Sequence, residues 1–340
     1  MPSMKAVQVS KPGGDFEVVE RPIPEPGREQ VRIKVEACGV CHSDVLVKEG
    51  FPWPGLKYPR VPGHEISGKI DAIGPDVTLW KPGQRVGVGW HGGHCFECEP
   101  CRRGDFINCK FEKVTGLSYD GGYAEYVIVP AEAVAAMPEN LPADEAAPLL
   151  CAGITVFNAM RRSGAKAGDL VAVQGIGGLG HLGIQYARQM GFRTVAIGRG
   201  GDKEALAKKL GAHEYVDTAN VEAAPALQKL GGANLILATA PDSKAMSALI
   251  NGLGPNGTLL VVGAGPDPIA VTPAQLIFGN RNVKGWASGT ARDSEDTLNF
   301  SLLSGVRPMI ERFPLEKATE AYARMMSGNA RFRVVLTMRG

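Results

Sequence analysis

Apolar and polar positions alternate, or run together as β-branched stretches, in VRIKVEACGV (31–40) and YAEYVIVP (123–130). Gly or Pro bounds these runs, so both are expected as strands. KPGQRVGVGW (81–90) reads as a turn feeding another strand. The texture changes near Cys151. LVAVQGIGGLGHLGIQYARQMGFRTVAIG (170–198) reads as strand, glycine turn, helix and strand, and DKEALAKKLGA (202–212) as a helix closed by Gly211. ANLILATA (233–240) and GTLLVVGAG (257–265) are short apolar runs suited to parallel strands covered on both faces. Beyond about residue 286 the alternation fades into two helical patterns, SEDTLNFSLLSGV and KATEAYARMMSG, and a last strand, FRVVLTM.

The expected fold class is α/β plus β-rich. A doubly wound parallel sheet occupies 151–286, and a strand-rich domain is made of 1–150 and 287–340. The 340 residues are 44% hydrophobic, enough to bury two cores. The 44 glycines and 24 prolines imply many tight turns. Lys+Arg is 37 and Asp+Glu is 35, for a net charge of +2, with no long basic run. Nucleic acid and anionic membranes are therefore not expected partners. No run approaches the ~18 apolar residues of a membrane span. MPSMKAVQVSKPGGDF carries no apolar core of a secretory signal, so a reducing, cytoplasmic setting is expected.

That setting changes the reading of HCFECEPCRRGDFINC (94–109). It holds Cys95, Cys98, Cys101 and Cys109 out of only 7 cysteines in the chain. Clustered cytosolic thiols read as metal ligands rather than disulfides. A short loop of this spacing folds its sulfurs around one ion, zinc by default, with an iron–sulfur cluster as the alternative. Four thiolates leave no open position, so the expected role is a structural staple. His94 stands beside it. The remaining cysteines are Cys38, Cys41 and Cys151, and His64 lies in VPGHEISG. Their spacing alone leaves open whether they form a second site or are separately buried.

GVCHSD (39–44), GHE (63–65), the four-cysteine loop, CAGIT (151–155) and GIGGLG (175–180) occur in the order found in the zinc-dependent medium-chain alcohol dehydrogenases, and the chain resembles that family over its whole length. The resemblance implies a GroES-like catalytic domain, a Rossmann domain and two zinc ions per subunit. It implies Cys41, His64 and Cys151 as catalytic zinc ligands, with the fourth position left for water or substrate. Asp44 matches the aspartate that orients the zinc-bound histidine. Glu65 matches a glutamate near the metal, with a plain supporting role as the alternative. Cys38 has no ligand role and is expected to pack. Ser43 matches the hydroxyl that takes the substrate proton, while Leu46 stands where many relatives carry the histidine that ends the relay. Trp90 matches a substrate-pocket position and Trp53 lies in the neighbouring loop FPWPG, which favours a narrow apolar pocket for primary alcohols and aldehydes. His91 has no assigned role. The resemblance also carries the expectation of a homotetramer.

Gly175, Gly177 and Gly180, with Gly178 between them, form a G-x-G-x-x-G turn after an apolar run and before a helical one. That context suits a dinucleotide pyrophosphate on a helix N-terminus. An acidic residue at the end of the second strand would favour NAD. Here TVAIGRGGDKE places Gly198 at that position and Arg199 next to it, so NADP is favoured. Asp202 leaves NAD open. By resemblance, Thr155 packs against the nicotinamide, His42 contacts the pyrophosphate and Arg333 lies near the cofactor phosphates. The same motifs leave two competing readings: a zinc-ribbon binding module, and a carbonyl reductase that seldom oxidises alcohols.

Overall fold

A computed structural model describes residues 2–338. The chain forms two compact units. One runs to Ile154 and resumes at Ser288, and the other is Thr155–Ala287.

In the first unit the strand Gln30–Val40 is the hub. Its burial alternates at first and becomes continuous from Ala37 onward, so Val31, Ile33 and Val35 enter the core. Each such buried side chain stabilises by roughly 1.5–3 kcal/mol. The strand pairs antiparallel with Glu65–Ile73, with Tyr126–Pro130 through its first half and with Arg333–Thr337 through its last. The closing stretch of the chain thus returns to this unit, where Arg333–Thr337 also runs parallel to Ile310–Pro314. The sheet continues through Arg85–Val88 to Val134–Ala136. An N-terminal hairpin of Ser3–Val9 and Phe16–Pro22 joins it through bonds such as Val7 N–H to the Tyr123 carbonyl at 2.7 Å.

The second unit is a parallel sheet. Numbered along the chain, its strands are Leu170–Gln174, Arg193–Gly198, Glu214–Asp217, Ala233–Ala238, Leu253–Val261 and Asn282–Gly285. Their spatial order is third, second, first, fourth, fifth, sixth. That order leaves a topological switch point beside the first strand, where α/β sheets bind ligands. Leu170–Gln174 is buried throughout, as a strand covered on both faces must be. Among the described residues no helix is long and apolar enough to cross a membrane.

The glycine turn joins Leu170–Gln174 to the helix Gly180–Gln189. Gly175 has φ +89°, the left-handed region that glycine enters at no steric cost. A Cβ on Gly180 would lie 1.8 Å from the Gly175 carbonyl oxygen, whereas one on Gly177 would meet nothing within 4 Å. The first clash is with backbone and cannot be relieved by a rotamer change. Gly180→Ala is therefore expected to destabilise the fold by about 1–3 kcal/mol. Gly177→Ala should stay within about 0.5 kcal/mol of wild type. Denaturant titration of both variants checks this; equal midpoints would refute the turn geometry.

Candidate functional site

Cys41 follows the long strand directly and caps a single turn, His42–Asp44. That turn aims the Asp44 carboxylate back at its own origin, where Oδ2 accepts the Cys41 N–H at 2.9 Å. Asp44 is 2% exposed. Its Oδ1 lies 3.1 Å from His64 Nδ1, and its Oδ2 also accepts the Tyr123 hydroxyl at 2.9 Å. His64 precedes the strand Glu65–Ile73. Cys151 comes from a widened π-helical turn, Leu149–Gly153, that follows Pro148. Proline has no N–H to continue the helical ladder, and such wide turns recur at functional sites.

These segments bring Cys41, His64, Glu65 and Cys151 together with ligand atoms all within 4.8 Å of one another. The sulfurs of Cys41 and Cys151 are 3.8 Å apart. A tetrahedron with ~2.3 Å metal–sulfur bonds has edges of about 3.8 Å. His64 Nε2 is buried and has no hydrogen-bond partner among the described residues. A neutral imidazole that donates from Nδ1 to Asp44 presents there a lone pair, the atom a metal takes. The residues present fit a zinc ion.

Charge leads to the same fit. The contact between the two sulfurs lowers the pKa of Cys41 and raises that of Cys151, with either thiol able to donate. Burial opposes a charge on His64, but Asp44 and the Cys41 sulfur outweigh it and push its pKa up, so the ring favours a cation, a proton or a metal in its place, at Nε2. Burial also pushes Glu65 up to about 8, against the pull of Arg333. Glu65 is fully buried, and the Arg333 guanidinium donates to its Oε1. Its Oε2 has no partner among the described residues. A Cβ on Gly39 would lie 1.8 Å from that oxygen. Gly39 faces Glu65 across the ladder, which is the reason for a glycine inside that strand.

The four-cysteine loop closes separately. Cys98 caps the one-turn helix Glu99–Arg102, with Pro in its first turn, and this folds Cys101 back over Cys98. The sulfur separations are 3.9 Å for Cys95–Cys101, 3.8 Å for Cys98–Cys109 and 3.6 Å for Cys95–Cys109. They are far beyond a disulfide bond of ~2.05 Å and fit the edges of a thiolate tetrahedron. The N–H groups of Cys95, Cys98 and Phe111 point at sulfur at 3.3–3.4 Å. Backbone donation at Cys101 holds Cys98 down to about 6, while burial pushes Cys101 up to about 12.

Other expectations fall as follows. Cys38 is fully buried and not part of either cluster. Trp90 packs edge-on against His64 at 5.1 Å, and Trp53 against Trp90 at 6.1 Å. Trp53 also lines a groove of about 890 Å³ that none of Cys41, His64, Glu65 and Cys151 lines. Ser43 is half-buried and His42 exposed in the turn. Leu46 packs into an apolar cluster with Val47 and Trp90. His91, without a role in the sequence, sits between Glu112 (3.2 Å) and His94 (3.0 Å). His94 stacks on Phe106, and burial together with His91 lowers its pKa to about 4. Arg333, expected near cofactor phosphates, is 7% exposed and committed to Glu65, since a buried guanidinium requires a carboxylate. Sequence reasoning missed Tyr123 and Gly39. The signal for Gly39 was its register opposite Glu65, visible only once the strands are paired.

In the second unit, Thr155 is half-buried near the start of the helix Ile154–Arg161. Gly198 ends its strand with the Tyr215 hydroxyl 2.5 Å from where a Cβ would stand, so no carboxylate side chain fits there without displacing Tyr215. That hydroxyl donates to the Gly200 carbonyl at 2.6 Å, and the Gly200 N–H donates to Asp217 at 2.6 Å. Arg199 and Asp202 are exposed. Lys203, also missed, reaches the glycine turn, with Nζ 3.4 Å from the Ile176 carbonyl.

Residues 27–139 match the family described as alcohol dehydrogenase GroES-like domain, and 178–302 the family described as zinc-binding dehydrogenase. The chain is 49% identical over 313 residues to alcohol dehydrogenase patD of Penicillium expansum, covering 92% of this chain and 91% of that protein. It is 35% identical over 320 residues to NADP-dependent alcohol dehydrogenase C of Mycobacterium bovis, covering 92% of each. It superposes on a cinnamyl alcohol dehydrogenase structure from Sorghum bicolor with a TM-score of 0.88 at 30% identity, covering 99% of this chain and 98% of that one.

Cys98→Ser weakens one corner of the four-sulfur set. It is expected to remove about one metal equivalent per chain and lower the thermal midpoint on the order of 5 °C. Elemental analysis with a thermal melt checks both; unchanged metal content would break the assignment of the loop.

Proposed function

The chain belongs to the zinc-dependent medium-chain alcohol dehydrogenases, and we propose that Cys41, His64 and Cys151 hold its catalytic zinc, that the four-cysteine loop holds a second, structural one, and that NADP is its preferred cofactor. As an oxidoreductase of this family it moves a hydride between an alcohol and a nicotinamide. The observation that carries the catalytic assignment is the buried, partnerless Nε2 of His64 beside the paired sulfurs of Cys41 and Cys151. Zinc, when bound, supplies Lewis acidity toward the substrate oxygen, and the nicotinamide supplies or accepts the hydride.

The remaining work falls to the chain's own side chains. Asp44 fixes the tautomer of His64 and, through the Cys41 N–H, the position of one sulfur. Ser43, one residue before Asp44, takes the proton of the substrate hydroxyl. Leu46 provides no basic atom for a relay, so Ser43 would pass its own proton on to the cofactor ribose and water, or to another residue. Glu65 stands beside the ligands with the Arg333 guanidinium donating to it, and we read Arg333 as its partner rather than as a phosphate ligand. Trp90, braced by Trp53, forms an aromatic wall at His64. That wall favours slim apolar substrates, primary alcohols and their aldehydes, over polyols.

Gly175, Gly177, Gly178 and Gly180 would receive the pyrophosphate, with His42 contributing and Thr155 packing on the nicotinamide. Three observations favour NADP: a Gly198 with no acidic side chain, the exposed Arg199 beside it and the reach of Lys203 to the glycine turn. Two cations without an acidic side chain at Gly198 suit a 2′-phosphate. The relative from Mycobacterium bovis named as NADP-dependent agrees with this reading. A cytoplasmic homotetramer is proposed on resemblance alone.

A panel of alcohols and aldehydes with both cofactors, run beside zinc counting, tests the proposal. Arg199→Ala should raise KM for NADP roughly tenfold, the loss of about 1.4 kcal/mol of charge-assisted binding, and leave NAD kinetics unchanged. A wild-type enzyme that strongly prefers NAD would overturn the cofactor assignment. Ser43→Ala should lower kcat about a hundredfold at normal zinc content. Full activity in that variant would remove Ser43 from proton transfer.

A further inference from the structure

The Asp44 carboxylate has three donors, and only two of them belong to metal ligands. Oδ1 faces His64, while Oδ2 takes both the Cys41 N–H and the Tyr123 hydroxyl. Two contacts, to His64 and to the Cys41 amide, leave a carboxylate free to rock about the line joining them. A third donor from outside the ligand set fixes its plane. We propose that Tyr123 is a positioning residue for the catalytic metal: its hydroxyl locks Asp44, and through Asp44 the ring of His64 and the sulfur of Cys41. This rests on the assignment of Cys41, His64 and Cys151 as ligands.

Tyr123 is built for such a task. It is fully buried, so its hydroxyl has no water to exchange with, and Asp44 is its hydrogen-bond acceptor. Its backbone is held on both sides. The Tyr123 N–H donates to the Pro62 carbonyl at 3.0 Å, and its carbonyl accepts the Val7 N–H at 2.7 Å. Pro62 stands two residues before His64. The ring covers Gly63, where a Cβ would come within 2.4 Å of it and where φ is +101°. Phe16, from the N-terminal hairpin, flanks the ring at 6.2 Å. The phenol oxygen is therefore placed by backbone and packing that do not depend on the metal. Rigid outer partners of this kind orient ligands and tune affinity.

Tyr123→Phe removes the oxygen and keeps the ring. In the zinc-loaded holoenzyme, chelator-driven release of the catalytic metal is expected to accelerate about tenfold to a hundredfold, while release from the four-cysteine loop stays at the wild-type rate. In the enzyme with cobalt in the catalytic position, the visible d–d bands should shift, because the imidazole and one thiolate are no longer held in one orientation. A merely structural tyrosine would lower the melting point without moving either readout. Wild-type release kinetics with an unchanged cobalt spectrum would overturn the proposal. Should Tyr123→Phe fail to fold, 3-fluorotyrosine at position 123 keeps the oxygen and strengthens the donor. Slower release is then expected, and unchanged release overturns the proposal. A wild-type protein that holds no metal outside the four-cysteine loop would overturn the ligand assignment itself and this inference with it.

Discussion

Buried charge that the polypeptide does not neutralise is the constraint on which the site depends. Cys41, Asp44 and Glu65 are buried acids in one neighbourhood with the partly exposed Cys151, and Arg333 is the guanidinium set against them. An ionised group taken out of water costs several kcal/mol unless it is paired. With both thiols ionised, the acids outnumber the guanidinium by three charges, which a dication among the sulfurs largely offsets. The ligand set is therefore a place whose electrostatics a metal would complete, and the glycines around it are fixed by the same side chains. Gly39 is a glycine because Glu65 lies across it, and Gly63 because Tyr123 does.

How much of this could be read from the sequence differs between the two clusters for a physical reason. Cys95, Cys98, Cys101 and Cys109 are near neighbours in the chain, so a local turn is enough to gather them and spacing reveals the site. Cys41, His64 and Cys151 are gathered by strand pairing and a π-helical turn that no local pattern encodes. Motif resemblance located them; periodicity could not. The parallel strands were legible because burial on both faces makes continuous apolar runs such as LVAVQ. The edge strand Asn282–Gly285 was not, since every one of its residues is exposed and no burial pattern marks it. The N-terminal hairpin was missed because Pro and Gly surround short, mixed runs. Arg333 shows a related limit: the sequence offers it as a charged residue near phosphates, and the buried carboxylate it pairs with, Glu65, emerges only once the strands are placed.

Cofactor preference illustrates the limit of a one-position rule. The absence of an acid at Gly198 was visible from the sequence. Its cause is that the Tyr215 hydroxyl occupies the space a side chain would need and ties Gly200 in place. The neighbouring Asp217 is also engaged, accepting the N–H groups of Gly200 and Ala219. Asp217, opposite Gly198 in the sheet register, is thus turned inward onto backbone, while Arg199 and Asp202 stay exposed and Lys203 reaches the glycine turn. Preference in such a loop is set by which charges the backbone has already consumed.

The two candidate metal positions are not independent of each other. The excursion that carries the four cysteines leaves and re-enters the first unit through a short ladder: Gly92 N–H to the Lys113 carbonyl, Lys113 N–H to the Gly93 carbonyl and Thr115 N–H to the Trp90 carbonyl, at 2.8–3.2 Å. His91 clamps the same junction through Glu112 on one side and His94 on the other. Trp90, which packs on His64, is the residue at which this ladder begins. A loop of that length and charge has no apolar core of its own, so a closed thiolate shell supplies the order that burial cannot. A metal held by the four cysteines would order the ladder that carries Trp90, the residue packed edge-on against His64.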